Sequence, residues 1–251
     1  MYPEILTVGP LHLRSWGLMI AIGFSLVLWL VTRSAQRSGL MTADDVMEGG
    51  MIGMLSGLFG SRIAHVIEYW QYYKNNWLEI VMVQHGGMVF YGGLLLAMAT
   101  LGYWCFRKKL NPLKVLDLTA PAFLVGIGVG RIGCFLNGCC YGRVTTHPWG
   151  MHFPNIAGTV HPTQLYETMA TLLGAGLAYM LSSQLSRPGQ QLGLCMVFYG
   201  ILRFAIETLR VNPLYGDLSS AQWISIILCF VGLIFLMRPS LRKANHSAEG
   251  Q

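Results

Sequence analysis

Apolar runs of helical length recur along this chain, separated by short polar breaks. Seven stand out, at 16–32, 46–69, 87–106, 116–136, 163–181, 191–209 and 221–237. Each is close to the roughly 20 residues a helix needs to cross a hydrocarbon core about 30 Å thick. The pattern predicts an all-α, polytopic membrane protein with about seven transmembrane helices. The second and third runs are the weakest, because glycines and polar groups interrupt them. The first run is long and lacks a basic leader and a small-residue cleavage site, so it reads as a span and not as a signal peptide. Residues 1–251 are expected to form a single integral membrane domain, with 239–251 a flexible cytoplasmic tail.

Composition agrees. The chain is 53% hydrophobic and only 11% charged, against about 25% charged in soluble domains. Its formal charge of +6 would suggest nucleic acid in a soluble protein. In a membrane protein it reflects the lysine and arginine that cytoplasmic loops collect, so no nucleic-acid partner is expected. Ten basic residues, Arg33, Arg37, Lys108 and Arg242 among them, fall on one side of the predicted spans. Four, Arg14, Lys74, Arg143 and Arg210, fall on the other. The richer side is cytoplasmic by this rule, which puts the N-terminus outside and the C-terminus inside. Cys105, Cys195 and Cys229 lie in apolar runs and read as small core residues.

Three arginines, Arg62, Arg131 and Arg203, remain inside the spans. Each costs roughly 2.5–3.5 kcal/mol there and needs a reason. Each stands about seven residues from the outer end of its run, roughly 10 Å below the outer surface, where headgroups meet acyl chains. Arg62 shares its run with His65 and Glu68, so a structural tie competes with ligand binding at that position. Arg203 has Glu207 four residues on and Tyr199 one turn before, which makes one polar stripe on a helix. Few carboxylates are in view against three guanidinium groups, and guanidinium suits bidentate phosphate binding. The expected ligand is an anionic phospholipid headgroup drawn from the outer leaflet. The stretch from His85 to Gly93, with its two glycine pairs, and the segment from His161 to Glu167, with Gln164, add a polar outer mouth. The glycines of the second to fourth spans are expected to leave a gap, or to let helices shift, so that a diacyl lipid enters sideways.

The segment GRIGCFLNGCCYGR, residues 130–143, resembles the signature of the prolipoprotein diacylglyceryl transferases. The resemblance continues through SWGLM at the first span, GSRI around Arg62, HGGMVFYGG, HPTQLYE and YGILRFAIETLR, and so runs along nearly the whole chain. It implies transfer of a diacylglyceryl group from phosphatidylglycerol to the lipobox cysteine thiol in the signal peptide of a prolipoprotein. Glycerol phosphate is released, at the outer face of the bacterial inner membrane, with no cofactor and no metal. It implies Arg131, Arg203, Tyr91 and Glu207 as catalytic residues. Arg131, Arg203, Tyr199, Asn137 and Gly142 match family positions and, with Arg62, His85 and Gln164 of the polar mouth, are expected around the phospholipid.

Four positions depart from the family pattern. Tyr91 stands where a histidine is usual, Cys134 where asparagine is common, Cys139 in place of glutamate and Trp16 in place of tyrosine. Tyr91 can hydrogen-bond headgroup oxygens but is a poor base near neutral pH; His85 on the same segment is the other contender. The spacing CxxxxCC lacks the usual CxxC of a metal site, and adjacent Cys139 and Cys140 are poorly placed to form a disulfide with each other. These departures motivate a second reading, a paralogue with the same donor and another acceptor. A third is a phospholipid-binding or flipping protein without chemistry, which predicts polar residues in the inner half of the bundle. None is evident.

Overall fold

A computed structural model describes residues 4–8, 11–82, 86–154 and 156–237. His85 and the 239–251 tail lie outside the described residues. Seven long helices fill the described chain and coincide with the seven apolar runs: α1 (Ser15–Ser38), α2 (Ala43–Glu68), α4 (Phe90–Arg107), α5 (Pro112–Asn137), α6 (Thr163–Leu181), α7 (Gln190–Glu207) and α8 (Ser220–Leu236). Of these, α1, α2 and α5 are long and apolar enough to cross a membrane, and α8 is a shorter apolar helix. A single turn, α3 (Trp70–Tyr73), and a 3₁₀ turn (Trp77–Ile80) follow α2. Hydropathy does not foresee three small antiparallel pairs: β1 (Glu4–Val8) with β2 (Leu11–Arg14), β3 (Met151–His152) with β4 (Thr159–Val160), and β5 (Leu214–Tyr215) with β6 (Leu218–Ser219). Two-residue strands are too short to carry a period of two.

Burial runs inside out relative to a soluble bundle. On α6 the polar residues Thr163, Gln164, Glu167, Thr168 and Thr171 are buried, while Met169, Leu173, Leu177 and Met180 are exposed. On α8 Gln222 and Ser225 are buried and Ile227, Phe230 and Ile234 exposed. Water does not favour that arrangement; hydrocarbon does, because apolar side chains gain nothing by leaving lipid and polar ones must satisfy each other. The chain is an all-α membrane protein.

Two compact units make up the chain, Val31–Val115 and the combination of Met1–Leu30 with Leu116–Gln251. In the first, Thr42 and Asp45 form a capping box that starts α2, and Lys108 at the end of α4 pairs with Asp45 at 2.8 Å and Glu48 at 2.7 Å. The glycines expected to open a gap instead close one. A Cβ on Gly60 would stand 2.5 Å from the Gly92 carbonyl oxygen, and one on Gly93 would stand 2.6 Å from that of Gly57. Backbones of α2 and α4 therefore touch, as small residues allow between lipid-embedded helices.

In the second unit, α7 and α8 meet the same way, with Gly193 and Gly232 each facing the other's carbonyl oxygen. Gly126 and Gly133 of α5 take Val27 and Met19 of α1, and Gly128 comes against Thr171 of α6. Ala120, Leu124, Ala175, Ala178 and Cys195 form the apolar core among α5, α6 and α7. Below it, the Asp117 carboxylate of α5 accepts hydrogen bonds from the backbone N–H groups of Gly189 and Leu192. It thus caps a helix whose own N-cap residue, Gly189, has no side chain. Asp117→Ala is expected to lower stability in detergent by about 1–2 kcal/mol, the range for a lost N-cap. Thermal unfolding measures it, and an unchanged midpoint would deny the cap its role.

Candidate functional site

Three helix ends of the second unit come together: the C-terminal ends of α5 and α7 and the N-terminal end of α6. The connecting backbone stitches them. Gly142 N–H donates to the His161 carbonyl at 2.8 Å, and Arg143 N–H donates to that of Leu209 at 2.7 Å. A Cβ on Gly142 would lie 2.6 Å from the Leu209 carbonyl oxygen and 2.8 Å from Thr163 Cγ2. Only glycine fits this crossing, so Gly142, expected near the lipid, acts by letting the loop through.

Within this junction the two arginines of the second unit are held by carboxylates. Arg131 Nε lies 2.9 Å from Glu167 Oε2, and the Tyr199 hydroxyl donates to Glu167 Oε1 at 3.0 Å. Close approach of α5 and α6 sets this pair. Thr168 Oγ1 donates to the Gly128 carbonyl at 3.0 Å, which fixes Glu167 one residue before it opposite Arg131 three residues beyond Gly128. Arg203 Nη2 lies 2.8 Å from Glu207 Oε2, its i+4 partner. Glu207 Oε1 accepts from Asn212 Nδ2 at 2.6 Å and from Ser219 Oγ at 2.8 Å, so the turn into α8 locks the carboxylate. Tyr199 stands within electrostatic reach of Arg131, Arg203 and Glu167 together.

Few carboxylates are in view in the sequence, yet both guanidinium groups find one, Arg203 the Glu207 that its spacing offers and Arg131 the Glu167 of another helix. Each is paired, because an isolated charge at this depth is too costly. The pairing is one-sided, however. Glu167 engages Arg131 through Nε, and among the described residues no hydrogen bond is made by its two terminal nitrogens. Glu207 engages Nη2 of Arg203, while Nη1 is buried with no partner among the described residues. A buried donor left empty beside its ion pair offers a place for an acceptor. The carboxylates aim the guanidinium groups and leave donors over for one.

Other expected residues have different places. Arg62, in the other unit, is 5% exposed and spends its donors on a loop. Nε donates to the Ile80 carbonyl at 3.0 Å, Nη1 to those of Gly86 and Gly87, and Nη2 to those of Glu79 and Met82. With five acceptors for its five N–H groups, Arg62 holds this loop in the structure, the structural tie that competes with ligand binding at that position. Gln164 is 1% exposed; its Nε2 donates to the Cys139 carbonyl, so it too supports the loop, while its Oε1 is buried with no partner among the described residues. Glu207, expected as catalytic, is buried, with Oε1 taken by Asn212 and Ser219 and Oε2 facing Arg203, an arrangement that suits positioning that guanidinium. Asn137 is exposed at the end of α5, next to Cys139. Tyr91 is exposed in the first turn of α4, in the other unit. Trp16 is exposed at the start of α1, with Gly133 against its backbone.

The sequence pattern passes over Glu167 as a site residue, although the rule that singles out the arginines applies to it: a lone carboxylate inside an apolar run needs a partner. It also places Arg210 among outer loop charges, whereas Arg210 lies within electrostatic reach of Glu207 and Cys140.

With that geometry in view, the chain can be set beside known proteins. The model of the family described as prolipoprotein diacylglyceryl transferase matches residues 3–238. A phosphatidylglycerol–prolipoprotein diacylglyceryl transferase of Geobacter sulfurreducens is 36% identical over 252 residues, covering 97% of this chain and 97% of the relative. The protein of the same name from Photobacterium profundum is 37% identical over 248 residues, covering 94% and 92%. One from a Shewanella species is 34% identical over 258 residues, covering 94% and 95%.

Proposed function

We infer, since the chain belongs to the prolipoprotein diacylglyceryl transferase family, that it moves the diacylglyceryl group of phosphatidylglycerol onto a prolipoprotein thiol. The acceptor is the lipobox cysteine, and the released product is glycerol phosphate. The observation that carries the reading is the pair of guanidinium groups, Arg131 and Arg203, each aimed by a buried carboxylate and each with donors to spare.

The reaction asks for little else from the protein. The cysteine sulfur bonds to the glycerol carbon as the bond from that carbon to phosphate oxygen breaks. The bonding electrons pass to the phosphate, and the thiol proton is taken up by the released phosphomonoester or by solvent. Negative charge therefore grows on phosphate oxygens, where fixed donors in a site shielded from water are worth most. Terminal nitrogens of Arg131 and Nη1 of Arg203 meet those oxygens. Tyr199, bound to Glu167, completes the wall.

The protein works in the bacterial inner membrane with seven spans, its N-terminus outside and its C-terminus in the cytoplasm. Basic residues concentrated on one side support that orientation. So does the junction of the C-terminal ends of α5 and α7 with the N-terminal end of α6, because alternating spans bring those three ends to the outer face.

Supplied to a strain depleted of its own transferase, this chain is expected to restore growth and the mass increment of a diacylglyceryl group on a reporter prolipoprotein. A reporter lacking the lipobox cysteine is expected to stay unmodified. Label from phosphatidylglycerol that reaches another acceptor and never the lipobox cysteine would overturn the assignment of the acceptor.

A further inference from the structure

The segment between α5 and α6 carries three thiols that the transfer chemistry leaves unused. Cys134 is in the last turn of α5, and Cys139 and Cys140 follow it. In linear sequence the spacing is wrong for a metal site; in space it is not. Gly138 takes φ of 74° and Cys140 φ of 66°, both in the left-handed region, so the chain doubles back on the helix end. Cys139 N–H donates to the Cys134 carbonyl at 3.1 Å, which closes the turn. The three sulfurs consequently lie within 4.8 Å of one another. None is in a disulfide, and all three are half-buried.

We propose that Cys134, Cys139 and Cys140 form a three-thiolate binding site for a soft, thiophilic metal ion, with monovalent copper the ion that fits it. A metal–sulfur bond of about 2.3 Å places sulfurs roughly 4 Å apart around a three-coordinate ion, so the cluster needs only slight contraction. Thiolate donors select soft ions such as monovalent copper. Zinc favours a fourth protein ligand at a closed site, and the described residues gather three.

The surroundings prepare the thiols for such an ion. Thr163 Oγ1 donates to the Cys140 carbonyl at 2.8 Å, and Gln164 donates to that of Cys139. Both residues are 1% exposed in the first turn of α6, so the loop is pinned from behind with its sulfurs converging. This also gives Gln164 a reason to be buried. Arg210 and Arg131 both lie within electrostatic reach of Cys140. On loading, each thiol releases its proton to solvent and forms one sulfur–copper bond, with no change of oxidation state.

The test uses the full chain in detergent, reduced with a phosphine and freed of it, with all six thiols counted before metal is added. Monovalent copper is then offered from a chromogenic chelator. The wild-type protein is expected to withdraw one equivalent and to give an X-ray absorption spectrum with three sulfur neighbours at about 2.3 Å. Cys139→Ser and Cys140→Ser are each expected to weaken the competition by roughly tenfold or more. The Cys134→Ser/Cys139→Ser/Cys140→Ser protein should lose the site, while Cys105→Ser/Cys229→Ser should keep it. No uptake by the wild type, nitrogen or oxygen neighbours in place of sulfur, or equal uptake by the triple variant would overturn the proposal. The spectrum of the wild type decides independently of whether any variant folds.

Discussion

Arg131→Ala and Arg203→Ala are each expected to lower transfer by about 10²–10³-fold, the loss of roughly 2–4 kcal/mol that follows removal of a fixed donor from developing negative charge. The two should differ in what else they disturb. Arg131→Ala leaves Glu167 bonded to Tyr199 but without its cation. Arg203→Ala leaves Glu207 with Asn212 and Ser219 still donating to Oε1, so it should be the better folded of the two. Lysine at either position restores charge but not the forked donor set, because the carboxylate takes one edge of the guanidinium and the ligand the other. Arg131→Lys and Arg203→Lys should therefore recover only a small part of the rate. Initial rates with phosphatidylglycerol and a lipobox peptide, measured on protein that elutes as a single species in detergent, provide the check. Near-normal turnover by either alanine variant would remove the phosphate role from that residue. By contrast, Arg62→Ala should act through stability, since the Arg62 guanidinium holds the carbonyls of Glu79, Ile80, Met82, Gly86 and Gly87 and lies over the Tyr73 ring.

The helices were legible in the sequence because hydropathy reports on burial in lipid over windows of helical length, and each apolar run became one helix. The buried arginines were legible too, since charge within an apolar run is conspicuous. Their neutralisation was not. Arg203 and Glu207 share a helix at i,i+4 spacing, so that pair can be read from the chain. Arg131 and Glu167 lie on different helices, and only the approach of Gly128 to Thr168 brings them together. Arg62 shows the opposite failure: a guanidinium that looks available is consumed by carbonyls of a loop whose path no periodicity encodes. The glycines of α2 and α4 failed as evidence for a gap because glycine permits either separation or contact, and the helices chose contact. The convergence of the three thiols is hidden for a related reason, as two left-handed residues bring together in space what linear spacing keeps apart.

Glu167 then becomes the residue whose loss should cost the most stability in the site. Its side chain is almost wholly buried and faces an Arg131 side chain that is itself only 21% exposed. Removing one member of such a pair leaves the other charge in a poor dielectric, at a cost of about 3–5 kcal/mol. Glu167→Ala should therefore lower the unfolding midpoint in detergent and, by letting the Arg131 side chain move, cut transfer by as much as about 10²-fold. Glu167→Gln keeps an oxygen for the Tyr199 hydroxyl but removes the charge, so it should fall between Glu167→Ala and wild type in both measurements. Tyr199→Phe, which leaves the ion pair intact, should cost less than either. The double variant Arg131→Ala/Glu167→Ala separates the two roles, because it removes both charges together. Its midpoint should rise above that of Glu167→Ala, as expected for coupled residues, while transfer stays as low as in Arg131→Ala. Should Glu167→Ala retain wild-type stability and rate, the carboxylate neither neutralises nor aims Arg131. The guanidinium would then owe its orientation to the α5 backbone alone.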